Sequence, residues 1–153
     1  MLNSQDFLSL TASDPLAAAT SITSLLSEAV PFTRTEDFPQ ERGIYFLYLK
    51  NQDVLLYIGS AYANNRHMKK RCQQYLQQGS GGESFTGKLA RLKNLTRIEA
   101  IEFVRNNIEA KFIVANGQPE AIIKQRELLS IWAFRPLLNF IQPTSTFAEL
   151  AWP

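Results

Sequence analysis

Two apolar stretches on either side of a short polar turn most limit what this chain can fold into. The first is GIYFLYLK at 43–50, the second is VLLYIGS at 54–60, and NQD lies between them. Both stretches are rich in β-branched and aromatic residues, so residues 43–60 are predicted to form a β-hairpin. Because both faces of these strands are apolar, we expect a sheet that is covered on both sides.

Helical patterns precede and follow this hairpin. The sequence Ser-Asp-Pro at 13–15 resembles a helix start, and the helix is expected to run on through 17–30 until Pro31. Residues 96–99 have the form of a capping box, so 97–106 is predicted to be helical, with a strand as the competing interpretation. Two basic helices, a third strand and a long helix that ends before Pro136 are expected at 64–78, 85–95, 111–115 and 119–134.

Length and composition are those of an ordinary globular domain. The chain has 153 residues, of which 45% are hydrophobic and 20% charged. Its one cysteine, Cys72, excludes an intramolecular disulfide and fits a reducing compartment. No apolar run reaches the roughly 18 residues that a membrane helix needs, and the first residues lack the basic region of a secretory signal. We therefore expect a soluble, cytoplasmic protein.

Positive charge is concentrated in the middle of the chain. Residues 61–97 carry eight cations against one acid, Glu83, so this segment has a net charge of +7 and the rest of the chain has −5. Such a basic lobe is a plausible footprint for a polyanion, although a pair of solvated helix faces gives the same pattern. The cations are Arg66, Lys69, Lys70, Arg71, Lys88, Arg91, Lys93 and Arg97.

Two pairs of residues have spacings that suit a phosphate site. Tyr45 and Tyr57 lie near mirror positions about the turn, and they become cross-strand or diagonal neighbours if they share a face. Arg71 and Tyr75 are four residues apart on a predicted helix, so a guanidinium and a phenol share one helix face. Packing tyrosines and an amphipathic helix edge are the alternative interpretations of these pairs.

A single carboxylate interrupts the apolar pattern of the long helix. Glu127 stands between Ile123 and Ile131 at a spacing of four. A buried carboxylate needs a cation, a metal ion or the mouth of a pocket. A salt bridge to Arg71 or Arg126 and a metal site both remain open. The neighbouring apolar side is formed by Ala121, Leu128 and Trp132, and Phe134 continues the first stripe.

Other common site types are not indicated. The only histidine, His67, is interpreted as a solvated residue, and Cys72 as a small core residue rather than a nucleophile. With one cysteine and one histidine the sequence lacks the Cys and His spacing of a zinc site. It also contains neither a Walker phosphate loop nor a GxSxG elbow.

The sequence GIY, eleven residues, then YIG resembles the signature of the GIY-YIG nuclease family. The family places an arginine on the following helix with a His or Tyr four residues later, and these positions match Arg71 and Tyr75 in KKRCQQY. Its later glutamate matches Glu127, and its asparagine after a proline matches Asn139 in RPLLNF. The segment RELLSIWAFRPLLN is similar to that of the bacterial excision-repair endonuclease. Some members, including the excision-repair enzyme, carry a lysine directly after YIG. This chain has Ser60 there, as phage homing endonucleases of the family do.

The resemblance implies an α+β fold in which a small central antiparallel sheet of three strands is flanked by helices. It covers 43–140 of one domain, with 1–42 as a helical N-terminal extension and 141–153 as a tail. No attached zinc finger or other DNA-targeting domain is apparent in the sequence.

The resemblance also implies metal-dependent hydrolysis of phosphodiester bonds in DNA. One Mg²⁺ or Mn²⁺ ion would bind Glu127, and Arg71 would stabilise charge on the phosphate. Tyr57 or Tyr45 would activate the water, and Tyr75 would orient the phosphate. Gly43, Gly59 and Asn139 would support the site, and DNA would contact Arg66, Lys69, Lys70, Lys88, Arg91 and Lys93.

Two alternatives to a nuclease stay open at this point. A catalytically weak or inactive nucleic-acid-binding module would keep the fold and the basic lobe. A structural protein with a coincidental hairpin would place Tyr45 and Tyr57 far from Glu127.

Overall fold

The computed structural model describes residues 14–63, 66–77 and 84–140 of the chain. Within these ranges the protein has a mixed α/β fold, built on an antiparallel sheet with the strand order β1–β4–β2–β3. The strands are β1 (Val30–Pro31), β2 (Gly43–Leu49), β3 (Val54–Ala61) and β4 (Ile108–Val114).

The expected sheet of three strands is therefore a sheet of four. The additional strand is β1, which pairs with β4 at the sheet edge, with Val30 opposite Ala110. Its two residues are too few to produce a strand pattern in the sequence, and one of them is a proline. An edge position tolerates that proline because one side of the strand needs no backbone donor.

Helices surround this sheet on both faces. No helix within the described ranges is long and apolar enough to cross a membrane. The α-helices are α1 (Pro15–Thr23), α2 (Met68–Gln73), α3 (Phe85–Leu92), α4 (Arg97–Asn107), α5 (Glu120–Phe134) and α6 (Leu137–Phe140), and Phe32–Asp37 and Gln74–Leu76 are 3-10 turns.

The N-terminal helix starts as predicted but ends early. Asp14 caps α1, its Oδ1 atom accepting a hydrogen bond from the Ala17 N–H at 2.8 Å. The helix stops at Thr23 instead of continuing to Val30. The reason is tertiary, since Ser27 donates its N–H to the Phe112 carbonyl at 3.0 Å and its hydroxyl accepts from the Phe112 N–H at 2.9 Å. Residues 14–42 are thus only partly helical.

The middle of the chain follows the predicted order with different boundaries. The first basic helix is short and passes into a 3-10 turn, while residues 64, 65 and 78 lie outside the described residues. The capping box is formed, with Thr96 and Glu99 exchanging hydrogen bonds of 2.9 and 3.1 Å, which favours the helix over the competing strand. The third strand begins earlier than expected, at Ile108. Helix α5 ends at a left-handed Arg135, before Pro136.

Both faces of the sheet are covered, as the apolar pattern predicts. One face packs against Phe32 and the helices α2, α3 and α4, and the other packs against α1 and α5. The N-terminal segment belongs to this core, because Ile22 is fully buried and Phe32 is 2% exposed. Strand β3 lies at the opposite edge of the sheet from β1, and the candidate site forms around it.

Candidate active site

The register of the hairpin brings the two signature tyrosines together. Tyr45 on β2 lies opposite Gly59, and Tyr57 on β3 lies opposite Leu47. The two tyrosines are therefore diagonal neighbours on one face of the sheet. This placement is one of the two arrangements that the sequence left open.

Close packing explains the glycines of both triplets. A Cβ atom on Gly59 would overlap the phenol of Tyr45, which is 1% exposed. A Cβ atom on Gly43 would overlap the carbonyl oxygen of Ile113 on β4 and lie 2.8 Å from the Met68 methyl group. The absent side chains thus let an aromatic ring and a neighbouring backbone approach, as glycine in a strand often does.

A third tyrosine completes an aromatic cluster beside the hairpin. Tyr75 lies in the 3-10 turn after α2, and its hydroxyl is 2.6 Å from that of Tyr45. Its ring meets the Tyr57 ring edge-on, with 6.5 Å between centroids, and Phe85 packs against both rings. The Thr86 hydroxyl donates to the Tyr75 carbonyl at 2.5 Å, which holds the turn against α3. The cluster is therefore a packed arrangement with its hydroxyl groups directed toward one another.

Arg71 places a positive charge at this cluster. Its guanidinium lies near the phenols of Tyr45, Tyr75 and Tyr57 and interacts electrostatically with them. Burial lowers the pKa of Arg71, but the nearby phenols raise it by more, so the net shift is upward. Since Arg71 keeps an exposed surface, this permanent cation remains accessible to an anionic ligand.

Glu127 faces the same cluster from α5. Burial raises the pKa of its carboxyl, while Ser60, Lys124 and Arg71 act in the opposite direction. The pKa of Tyr57 is raised first by burial and then by the negative charge of Glu127. The carboxylate and this phenol are therefore neighbours, and the placement of Tyr57 far from Glu127 that a coincidental hairpin requires is not observed.

The apolar surface expected around Glu127 is packed on one side of α5 and exposed on the other. Leu128 and Trp132 are 56% and 39% exposed, and Ala121 is also exposed. Only Ile123 and Ser130 of this helix are buried. Ile123, Ile131 and Phe134 pack in the core as expected, and Glu127 lies on the same stripe, whereas the neighbouring side faces away from the core.

All three phenols are held in their neutral form. Burial raises the pKa of Tyr45 and Tyr75 well above 10, and it is also the largest cause of the raised pKa of Tyr57. Arg71 lowers the pKa of Tyr45 and Tyr57, but by less than burial raises it. Near neutral pH the cluster thus offers hydroxyl groups that donate and accept hydrogen bonds, rather than a phenolate.

The surroundings of Glu127 fit a hydrated divalent cation. The Ser60 hydroxyl affects the pKa of Glu127, yet its oxygen is buried and has no hydrogen-bond partner within 3.5 Å among the described residues. We read this as proximity to the carboxylate without a formed bond, which leaves a polar atom for a ligand or its water. Within the described ranges, no three His, Cys, Asp or Glu side chains are grouped so that they could hold a metal ion together. One carboxylate suits Mg²⁺, which keeps several water ligands.

Asn139 secures the edge strand next to the YIG triplet. Its Oδ1 accepts from the Ile58 N–H at 2.8 Å, and its Nδ2 donates to the Ile58 carbonyl at 2.9 Å. The amide on α6 thus pairs with β3 as another strand would. Asn139 therefore holds α6 against β3.

The predicted DNA-contacting cations differ in their distance from the cluster. The Nζ atom of Lys88 on α3 lies 5.6 Å from the Tyr57 ring centroid and donates to the Leu138 carbonyl at 3.4 Å. Arg66, which precedes α2, lines a pocket together with Arg71. These two cations border the site directly.

The other predicted contacts extend outward along the surface. Lys69 and Lys70 belong to α2, and Lys69 donates to the Glu36 carbonyl at 3.4 Å. Arg91 is exposed on α3. Lys93 lies at the end of α3 with its Nζ atom 5.1 Å from the Phe103 ring centroid, so it faces α4 and not the phenol cluster.

Two residues outside the sequence-based site take part in it. Lys124 acts electrostatically on Glu127 from one turn earlier on α5, a spacing that periodicity reveals once the glutamate is chosen. Phe85 packs against Tyr57 and Tyr75 from α3, and no local signal marks it because the contact is formed between distant segments.

His67 and Cys72 have structural roles. His67 is half-buried and not simply solvated, because its Nδ1 accepts from the Lys70 N–H at 3.1 Å and caps α2. Cys72 is fully buried, and burial raises the pKa of its thiol, which makes it a core residue, as predicted.

Comparison with known proteins adds no assignment, since neither a protein-family model nor a curated protein matches the chain.

Proposed function

We propose that this protein is a metal-dependent endonuclease of the GIY-YIG type that hydrolyses phosphodiester bonds in DNA. One observation carries the proposal: Tyr45, Tyr57 and Tyr75 meet the cation of Arg71 and the carboxylate of Glu127 at one sheet edge. These side chains come from β2, β3, the turn after α2, α2 itself and α5. Burial of these polar side chains costs free energy, so packing alone does not favour placing them together in a core.

Arg71 binds and stabilises the phosphate in this proposal. Its guanidinium is charged at neutral pH, and it already lies beside Tyr45, Tyr57 and Tyr75 before substrate arrives. A preorganised cation favours the transition state because negative charge on the phosphate oxygens increases there. Tyr75, linked to Tyr45, orients the same phosphate.

Tyr57 positions the attacking water. Of the two candidate tyrosines, Tyr45 is 1% exposed and its hydroxyl lies 2.6 Å from that of Tyr75, whereas Tyr57 is less buried and lies near Glu127. The raised pKa of Tyr57 means that it acts as a neutral hydrogen-bonding group in the resting protein. Loss of its proton requires an additional positive charge nearby.

Glu127 is the residue that would hold one Mg²⁺ or Mn²⁺ ion, with the unpaired Ser60 hydroxyl contacting a water ligand. When bound, such an ion polarises the phosphate and stabilises the leaving oxygen. Glu127 itself supplies the negative charge that anchors the cation, and its partial burial strengthens that attraction.

A plasmid-nicking assay tests the proposal directly. Wild-type protein with Mg²⁺ or Mn²⁺ is expected to convert supercoiled DNA to nicked circles, and EDTA is expected to stop it. Arg71→Ala and Glu127→Gln should each lower the rate by about 10²–10³, the range for losing one electrostatic contact in a transition state. Arg34→Ala and Glu102→Gln are matched controls, because both residues form exposed ion pairs elsewhere.

Nicking that survives both active-site substitutions would contradict the proposal. Binding to DNA without cleavage in any metal would instead favour a nucleic-acid-binding module that keeps the fold. The cations beside the site, including Arg66 and Lys88, are the observation behind that second candidate. In that case the affinity should fall steeply with salt, since counterions are released on binding.

A further inference from the structure

A pocket of about 240 Å³ opens beside the phosphate-binding arginine. It lies between the end of β3 and α2. Two of its residues, Ser60 and Arg71, also belong to the candidate site. A phosphate held at Arg71 therefore has its neighbouring nucleoside within reach of this pocket. The lining consists of Ser60, Ala61, Tyr62, Ala63, Arg66 and Arg71.

Tyr62 is held rigidly at this pocket. The Arg42 guanidinium donates to the Tyr62 carbonyl at 2.8 Å and to the Gln118 carbonyl at 2.7 Å, which ties the residue to the start of α5. Lys124 donates to the Tyr62 hydroxyl at 3.4 Å, with its Nζ atom 5.0 Å from the ring centroid. An aromatic side chain fixed at backbone and ring is suited to ligand contact, because little entropy remains to be lost.

The chemistry of the lining suits a nucleobase. The Tyr62 phenol ring and the Arg66 guanidinium offer flat surfaces for stacking, and no acidic residue is among the described residues that line the pocket. The Arg66 N–H donates to the Ala63 carbonyl at 3.1 Å, and the pocket is lined by both Arg66 and Tyr62. The volume is below the roughly 300–1,000 Å³ of sites for drug-sized ligands, which favours a single base over a base pair.

We propose that this pocket binds one unpaired nucleobase of a DNA strand, next to the phosphate at Arg71. The inference rests on the proposed nuclease function and names its substrate class: DNA with an unpaired nucleotide at the cleavage point, as in a single strand, a flap or an overhang. A paired base is excluded unless it leaves the stack, because both of its faces are covered and unstacking costs a few kcal/mol.

Binding measurements in EDTA test the pocket without cleavage. The probes are a single-stranded oligonucleotide of mixed sequence and an abasic oligonucleotide of the same length, which has the same phosphates but no bases. Wild type should bind the first about 5- to 140-fold more tightly, which corresponds to the roughly 1–3 kcal/mol of base–aromatic stacking. Tyr62→Phe should keep this preference, and Tyr62→Ala should lose it while its affinity for the abasic strand is unchanged.

The possible outcomes separate the pocket from the nuclease. Equal affinity of wild type for the two strands, or an equal loss on both strands in Tyr62→Ala, would overturn the pocket. Equal cleavage of paired and unpaired DNA would do the same and leave the nuclease in place. A base preference that depends on Tyr62 in a protein that never cleaves would support the pocket and refute the nuclease.

Discussion

Replacing Asn139 with alanine is expected to weaken the edge of the sheet at the candidate site. The change removes two hydrogen bonds, of 2.8 and 2.9 Å, to the backbone of Ile58. Ile58 is fully buried, so its N–H and carbonyl groups lose their partners in a place that water reaches poorly. An unsatisfied buried group costs about 1–3 kcal/mol. Because Asn139 itself is only half-buried, water can enter the space it leaves, and we expect about 2–4 kcal/mol in total.

Thermal unfolding followed by circular dichroism measures this cost. For a chain of this length, 1 kcal/mol shifts Tm by roughly 2–4 °C, so Asn139→Ala should melt about 4–16 °C below wild type. Asn107→Ala is the matched control, since that amide is exposed and donates one bond of 3.2 Å to the Phe103 carbonyl. It should stay within about 0.5 kcal/mol of wild type.

A second variant separates the hydrogen bonds from side-chain size. Asn139→Asp keeps the acceptor for the Ile58 N–H but turns an oxygen toward the Ile58 carbonyl. The ionised carboxyl is disfavoured there, so its folded pKa should exceed the usual value of about 3.9. The variant should therefore be most stable below that value and lose stability as the pH rises. A Tm of Asn139→Ala equal to that of wild type, or no pH dependence in Asn139→Asp, would refute this reasoning.

Three further predictions concern the packing and the charge of the site. Gly59→Ala should lower the free energy of unfolding by about 1–3 kcal/mol, because the new Cβ atom clashes with the Tyr45 ring. Gly43→Ala should lower it more, and with it Tm, because its clash is with the backbone. Tyr45→Leu should restore part of the loss only in Gly59→Ala, and additive effects of these two substitutions would contradict the explanation. Burial raises the pKa of the Glu127 carboxyl above 4.5, so Glu127→Gln should raise Tm at pH 7 without metal. This gain should vanish below pH 4.5, where the wild-type carboxyl is protonated in both the folded and the unfolded protein. A lower Tm of the variant at pH 7 would contradict the prediction. Burial raises the pKa of Tyr75 well above 10, so wild type should lose stability as the pH rises past 10. Denaturant titrations should show a smaller loss in Tyr75→Phe. An equal loss of unfolding free energy above pH 10 in both proteins would contradict the prediction.

Local sequence patterns determine much of this fold. Alternating and continuous apolar residues at 43–60 produce the hairpin, and the capping box at Thr96 decides the start of α4. The candidate residues Arg71 and Glu127 are also visible in the sequence, because a cation four residues from a tyrosine and a carboxylate in an apolar helix are local features. Such features depend on neighbouring residues alone, since they follow from strand and helix periodicity.

Only tertiary structure decides which of these residues meet. The end of α1 and the short strand β1 depend on pairing with β4, since Ser27 exchanges hydrogen bonds with Phe112, far along the chain. The partial burial of Glu127, next to an exposed Leu128, depends on which side of α5 lies against α1 and the sheet. The neutral phenols depend on burial that three separate segments create around Tyr57. These properties depend on contacts between residues that are far apart in the sequence, so no short segment determines them by itself.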